Sequence, residues 1–141
     1  MTATTVDIHL HPKPGCDIID ITSRVATAVQ QQGIQSGLVQ VFSPHTTSAI
    51  RINENDPALL NDFKHNIDRA IPNNVHYDHN DIDVRKNARA HLASFMYGAS
   101  ESVPIVDGKL SLGQWQSIFF IDFDGGRSEG RHVIINMITA V

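Results

Sequence analysis

Histidine is the commonest side-chain metal ligand and the usual acid–base group near neutral pH. This chain carries 8 of them beside 11 lysines and arginines. His45 stands in FSPHTTSAIRINENDP (42–57), where an apolar run hands over to a polar one. His76 and His79 lie in NNVHYDHNDID, and His91 lies in NARAHLASFMYG. A catalytic zinc takes three protein ligands, keeps a fourth position for water, and brings the pKa of that water to about 7. His45, one of the two histidines of the polar segment and His91 are a candidate set for those three. The plainer account of His91, at the edge of an apolar helical face, is a hydrogen-bonded boundary residue. His9, His11, His65 and His132 fall on strand or helix surfaces and read as solvated.

Other groups carry chemistry of a second kind. In DGGRSEGR (124–131) three glycines stand beside two arginines. Glycine lets backbone N–H groups approach an anion, and arginine grips phosphate through parallel hydrogen bonds. A flexible, charged hairpin loop is the simpler reading of the same residues. LGQWQS (112–117) holds the one tryptophan, Trp115, either the wall of a pocket for a flat ring or a core anchor. Asn53, Glu54 and Asp56 precede a helix, and Asp56 is its natural cap. Glu54 stands outside that cap and is free to act as a base or to orient a ligand.

Elements must place these groups. TTVDIHLH alternates Val6, Ile8 and Leu10 against Asp7, His9 and His11, the period of a half-buried strand. DITSRVATAVQQQG sets Ile21, Val25, Ala28 and Val29 on one helical face, with Asp20 as cap and Gly33 as stop. GLVQVFS reads as a strand. NDPALLNDFKHNIDRAIP reads as a helix with Asp56 at the cap, Pro57 in the first turn, and Leu60, Phe63 and Ile67 toward the core. NARAHLASFMYG reads as a further helix ending at Gly98, with Leu92, Phe95 and Met96 as its apolar face. NNVHYDHNDID reads as a loop. SVPIVDGKLSL is a hairpin turning at Asp107-Gly108, and WQSIFFIDF and RHVIINMIT flank the loop DGGRSEG. Clustered C-terminal strands argue for α+β: a single compact domain over 1–141 with mostly antiparallel, sandwich-like sheets and about three helices.

The 141 residues suffice for one domain with a real core. A formal net charge of −4 without a basic run argues against a nucleic-acid partner. The longest apolar run, IFFI at 118–121, is far too short to cross a bilayer. One cysteine, Cys16, forms no internal disulfide, and MTATTVDIHLHP has no secretory pattern, so the expectation is a cytoplasmic protein without a membrane partner.

PHTTSAIRINENDP, then YDHND…ARAHLASFMYGAS, then GKLSLGQWQSIFFIDFDGGR resemble the blocks of the YjbQ-like family, whose members are described as secondary thiamine-phosphate synthases. The likeness runs from about Leu38 to the C-terminus. It implies a compact α+β domain that assembles as a homotrimer with pockets near subunit interfaces. It implies a divalent metal held by His45, by His79 rather than His76, and by His91. It also matches the family's NEN to Asn53-Glu54-Asn55 and its GTWQ to Gly113-Gln114-Trp115-Gln116, with Gln114 in place of threonine. Where relatives often carry a lysine after the histidine-isoleucine or histidine-leucine step of this helix, Ala93 stands, which makes Arg127 the candidate to hold an anion instead.

The implied reaction joins a pyrimidine diphosphate to a thiazole phosphate and releases pyrophosphate. On that reading Asn53 and Glu54 are catalytic. Thr46, Thr47, Ser48, Ser100, Gln116 and Arg127 bind the small phosphorylated substrate, and Trp115 lies against its ring. Three imidazoles suit zinc, whereas diphosphate chemistry ordinarily uses magnesium on oxygen ligands. The synthase reaction is therefore expected to be weak or secondary. The alternatives are a zinc-type hydrolase of a small phosphorylated or ester substrate, with Glu54 as base, and a non-enzymatic metal- or ligand-binding trimer.

Overall fold

The computed structural model describes residues Met1 to Thr139. Chain order is β1 (Thr2–Leu10), β2 (Gly15–Asp20), α1 (Thr22–Gln31), β3 (Ser36–Phe42), β4 (Ser48–Asn53), α2 (Pro57–Ala70), α3 (His79–Ile82), α4 (Ala88–Tyr97), β5 (Ser100–Val106), β6 (Lys109–Leu110), β7 (Ser117–Gly125) and β8 (Arg131–Thr139). Two antiparallel sheets form, one of five strands ordered β1-β8-β3-β5-β6 and one of three ordered β2-β7-β4. The α+β class with sandwich-like antiparallel sheets agrees with the sequence reading.

The core lies between the sheets. Val39 and Val41 of β3, Val133, Ile135 and Met137 of β8, and Ile118 and Phe120 of β7 are buried there. Helix α1 closes this core with Ile21, Val25, Ala28 and Val29, the stripe its periodicity marked. The cap position of α1 is Ile21 rather than Asp20; the Asp20 carboxylate, one residue earlier, accepts from the Thr22 amide and hydroxyl. Asp107 and Gly108 both take positive φ, at 50° and 73°, as a two-residue hairpin turn demands.

A second cluster, Ile67, Ile71 and Ala93 with Phe63, Tyr97 and Phe123, seats α2 and α4 on the other side of β7. The Asp56 carboxylate caps α2 by accepting from the amides of Ala58 and Leu59.

Helix α4 lies on its sheet differently from the sequence reading. Ala88, Ala90 and Ala93 are its buried residues, while Leu92, Phe95 and Met96 face outward. Small side chains let the helix backbone approach the strands closely, and Ser94 donates its hydroxyl to the Ser48 carbonyl across that contact. Two strands also went unread. GCDIID forms β2, and SAIRIN, inside the polar stretch, forms β4 with Ser48 opposite Asp122 and Asn53 opposite Ser117. The segment NNVHYDHNDID, read as loop, holds the single turn α3.

Candidate functional site

The loop between β3 and β4 is pinned at both ends. Ser43 is buried, its amide donates to the Ala99 carbonyl, and its hydroxyl pairs with the buried Ser48 hydroxyl. His45 is presented between these anchors. Its ring meets Phe120 and His132 edge-on, with centroids 6.5 Å and 5.2 Å away. His132, read as solvated, is half-buried and holds His45 through its backbone. His45 Nε2 lies 3.1 Å from both the amide nitrogen and the carbonyl oxygen of His132. With the proton on Nε2 the ring donates to the carbonyl and keeps a lone pair on Nδ1; with the proton on Nδ1 it accepts from the amide. Burial, followed by the Arg131 charge, depresses the His45 pKa and favours the neutral, ligand-competent ring.

His79 opens α3 and His91 sits on α4. Their ring centroids are 4.7 Å apart at an interplanar angle of 76°. His79 Nε2 stands 3.2 Å from Asn87 Oδ1 and 4.0 Å from the Asp83 carboxylate.

The end of β7 and the start of β8 supply charge. Arg131 donates from Nε and Nη2 to the two oxygens of Asp122, at 2.7 and 3.2 Å, and from Nη2 to the Thr47 hydroxyl at 2.9 Å. Both members of that pair are buried. Asp124 accepts from Arg85 through two bonds, from Arg127 Nη2 at 2.8 Å and from Asn87 Nδ2 at 2.9 Å. Partial burial pushes the Asp124 carboxyl up, but the bonds from Arg85, Asn87 and Arg127 outweigh it and leave the group below the usual carboxylate range. Arg127 Nε is buried with no hydrogen-bond partner among the described residues.

These groups meet. His45, His79 and His91 line one cavity of about 370 Å³ together with Arg85, Arg127 and Arg131. Thr46 and Thr47 share its wall, as do Asp83 and Asn87. Three imidazoles from separate elements are a donor set that suits zinc, and the ordered partners around His79 and His45 are what metal-binding histidines commonly have. The ligand atoms of the trio are not closed around a point. Among the described residues, the group whose ligand atoms all lie within 4.8 Å of one another is His76, Asp78 and Asp81, fully on the surface.

The remaining expected site residues lie elsewhere. Asn53 and Glu54 border a separate crevice of about 270 Å³ under α2, beside Leu60, Phe63 and Phe119. They stand at the opposite end of β4 from Thr47, and the strand itself spans about 17 Å from Ser48 to Asn53 at roughly 3.3 Å per residue. Trp115 and Gln116 belong to that end too. Trp115 is 67% exposed, and Gln116 accepts from the Gly113 amide. Ser48 spends its hydroxyl on Ser43, and Ser100 is exposed at the start of β5, outside the cavity wall.

Sequence reasoning passed over Arg85, Asn87 and Asp124, and read Arg131 as a loop arginine for an anion rather than as the partner of a buried carboxylate. One signal was available. In IFFIDFDG, Asp122 occupies an inward position of an otherwise apolar strand, and a buried carboxylate there demands a cationic partner.

The YjbQ-like UPF0047 profile matches residues 6–140. A UPF0047 protein of Methanothermobacter thermautotrophicus is 41% identical over 128 residues, covering 91% of this chain and 88% of that protein. A UPF0047 protein of Archaeoglobus fulgidus is 42% identical over 122 residues, covering 86% and 91%. The crystal structure of a protein of unknown function from Sulfolobus solfataricus P2 superposes with a TM-score of 0.91 at 34% identity and covers 96% of both chains. The names of these relatives state a family and no reaction.

Proposed function

From a chain that belongs to the YjbQ-like UPF0047 family, we propose a metal-binding enzyme acting on a small phosphorylated substrate, with thiamine-phosphate synthase-type transfer as a secondary activity. The observation that carries this reading is the convergence of three histidines and three arginines on one cavity. His45, His79 and His91 would hold the metal, zinc by the softness of the donors, with magnesium as the competitor for a diphosphate. Bound there, such an ion supplies Lewis acidity toward a substrate oxygen.

The chain's own residues supply the rest. Arg127 and Arg85, fixed by Asp124, neutralise negative charge that builds on a departing phosphate or pyrophosphate. Arg131 is committed to Asp122 and holds the Thr47 hydroxyl, so it shapes the wall on which Thr46 and Thr47 sit. The side of the cavity away from the arginines opens past His79 and His91 onto Tyr77, Leu92 and Phe95, an apolar shelf for the organic part of a substrate.

A hydrolase needs only one substrate beside the metal, but the same geometry takes Glu54 away from it as a base. Glu54 and Trp115 lie a strand's length from the histidines, so a single chain does not gather the two substrates of a synthase around one point. Assembly into the homotrimer that the family resemblance implies would bring in a second copy. The outward face of the five-stranded sheet is the surface we assign to that contact, because Leu38 pairs with Ile138 and Phe42 with Ile134 there, all facing away from the core. A monomer mass by light scattering would sink the assignment.

The deciding assay follows pyrophosphate release from a pyrimidine diphosphate with and without a thiazole phosphate, on protein of measured metal content. Release that needs both substrates and disappears in His45→Ala is the expected result. Hydrolysis of simple phosphate esters with no joined product moves the assignment to the hydrolase. No turnover of either kind leaves the metal- or ligand-binding trimer.

A further inference from the structure

Asp124 touches no histidine, yet its chemistry reaches His79. A carboxylate only accepts hydrogen bonds, so the Asn87 side chain must turn its amide NH₂ toward Asp124, where Nδ2 and Oδ2 are 2.9 Å apart. That fixes the other end of the same amide. Asn87 Oδ1, which can only accept, then faces His79 Nε2 at 3.2 Å. The contact is a hydrogen bond when Nε2 carries the proton and a repulsion of two lone pairs when it does not. The Asp83 carboxylate, 4.0 Å from the same nitrogen, favours the same proton position. With Nε2 protonated, the lone pair that neutral His79 can give a metal is on Nδ1.

We propose that Asp124 is a positioning residue that, acting through Asn87, fixes His79 in its Nε2–H form and so presents Nδ1 as the metal-binding nitrogen. The inference rests on reading His79 as a ligand, and it assigns a task to a residue two bonds removed from the site. Arg85 and Arg127 hold the carboxylate in place from its other sides, so the polarity of the chain from Asp124 to His79 runs one way.

Asp124→Asn tests this, because an asparagine can either accept or donate and no longer dictates how Asn87 is turned. Asp124→Asn combined with Asn87→Asp restores the polarity. The new carboxylate at 87 accepts from His79 Nε2–H and from the amide at 124. The readout is the pair of ring-nitrogen chemical shifts of His79 in metal-free, ¹⁵N-histidine-labelled full-length protein, above the ordinary imidazole pKa. The wild type is expected to show a protonated Nε2 and a bare Nδ1, Asp124→Asn a mixture, and the double variant the wild-type pattern.

Zinc affinity should follow the same order. It should fall about 10- to 100-fold in Asp124→Asn, as partners behind metal ligands typically do, and recover in the double variant. Dispersed amide spectra separate this result from unfolding, and Asn87→Ala, which cuts the relay at its middle, serves as a second variant. A wild-type His79 protonated on Nδ1, or an unchanged tautomer in both Asp124→Asn and Asn87→Ala, overturns the proposal. A wild type that binds no zinc while showing the expected tautomers overturns the metal reading and leaves the relay standing.

Discussion

Replacing Asp122 by alanine is expected to lower stability by about 3–5 kcal/mol, the cost of leaving its buried partner Arg131 without its paired carboxylate. The side chains of Arg131 and Asp122 are 7% and 1% exposed, so water cannot take over for the lost carboxylate. Three groups lose their partner at once: Arg131 Nε, one N–H of Arg131 Nη2, and the Asp124 amide that donates to Asp122 Oδ1. Against a total stability of order 5–15 kcal/mol, such a loss is a large fraction of the whole. At this chain length it corresponds to a fall of roughly 10–20 °C in Tm.

The pair's net worth is a different quantity from the cost of breaking it. Asp122→Leu combined with Arg131→Met removes both charges and keeps the volume, and should be much less harmful than either single change. Urea unfolding of the three variants measures this. A single-variant loss within about 1 kcal/mol would mean that the pair is wet and the cavity floor is soft. The prediction bears on the site, because Arg131 also holds the Thr47 hydroxyl; the same substitution should loosen the loop that presents His45.

Elements whose signal is local were legible in the sequence, and those defined by contact were not. The α1 stripe, the Asp56 cap and the Asp107-Gly108 turn depend on neighbours a few residues away, and all three stand where the pattern put them. Helix α4 was oriented wrongly because hydrophobicity marks Leu92, Phe95 and Met96, while its contact with β4 and β7 selects small residues that let backbones approach. Strand β4 was hidden because its flanks are polar, although Ile50 and Ile52 point to the core two residues apart. The histidine trio was visible as residue types, and choosing His79 over His76 needed the family's block order. His76 instead stands at the surface against Asp81, whose hydrogen bond raises its pKa. The separation of Glu54 and Trp115 from the histidines is a matter of strand length and register, which adjacency in sequence conceals: Glu54 is nine positions from His45 but at the opposite end of an extended strand.

His91→Ala should separate a ligand from a packing residue. His91 is half-exposed on α4, and its ring lies against His79, not inside the alanine-lined contact with the sheet. Truncating a side chain in that position removes little buried area, and alanine is the better helix former, so stability should change by less than about 1 kcal/mol. Metal content should change completely. Losing one of three imidazoles leaves two donors on a cavity whose other walls carry arginines, a poor environment for a cation. Elemental analysis of protein purified without added metal should give about one zinc per chain in the wild type and close to none in the variant, with overlapping urea curves once the wild type has been stripped of its ion. In the metal-loaded state the curves should part, because an ion that binds the folded chain alone stabilises it by mass action. The opposite pattern, lower stability with the metal retained, would make His91 a packing residue and would leave the third ligand to another group on the cavity wall.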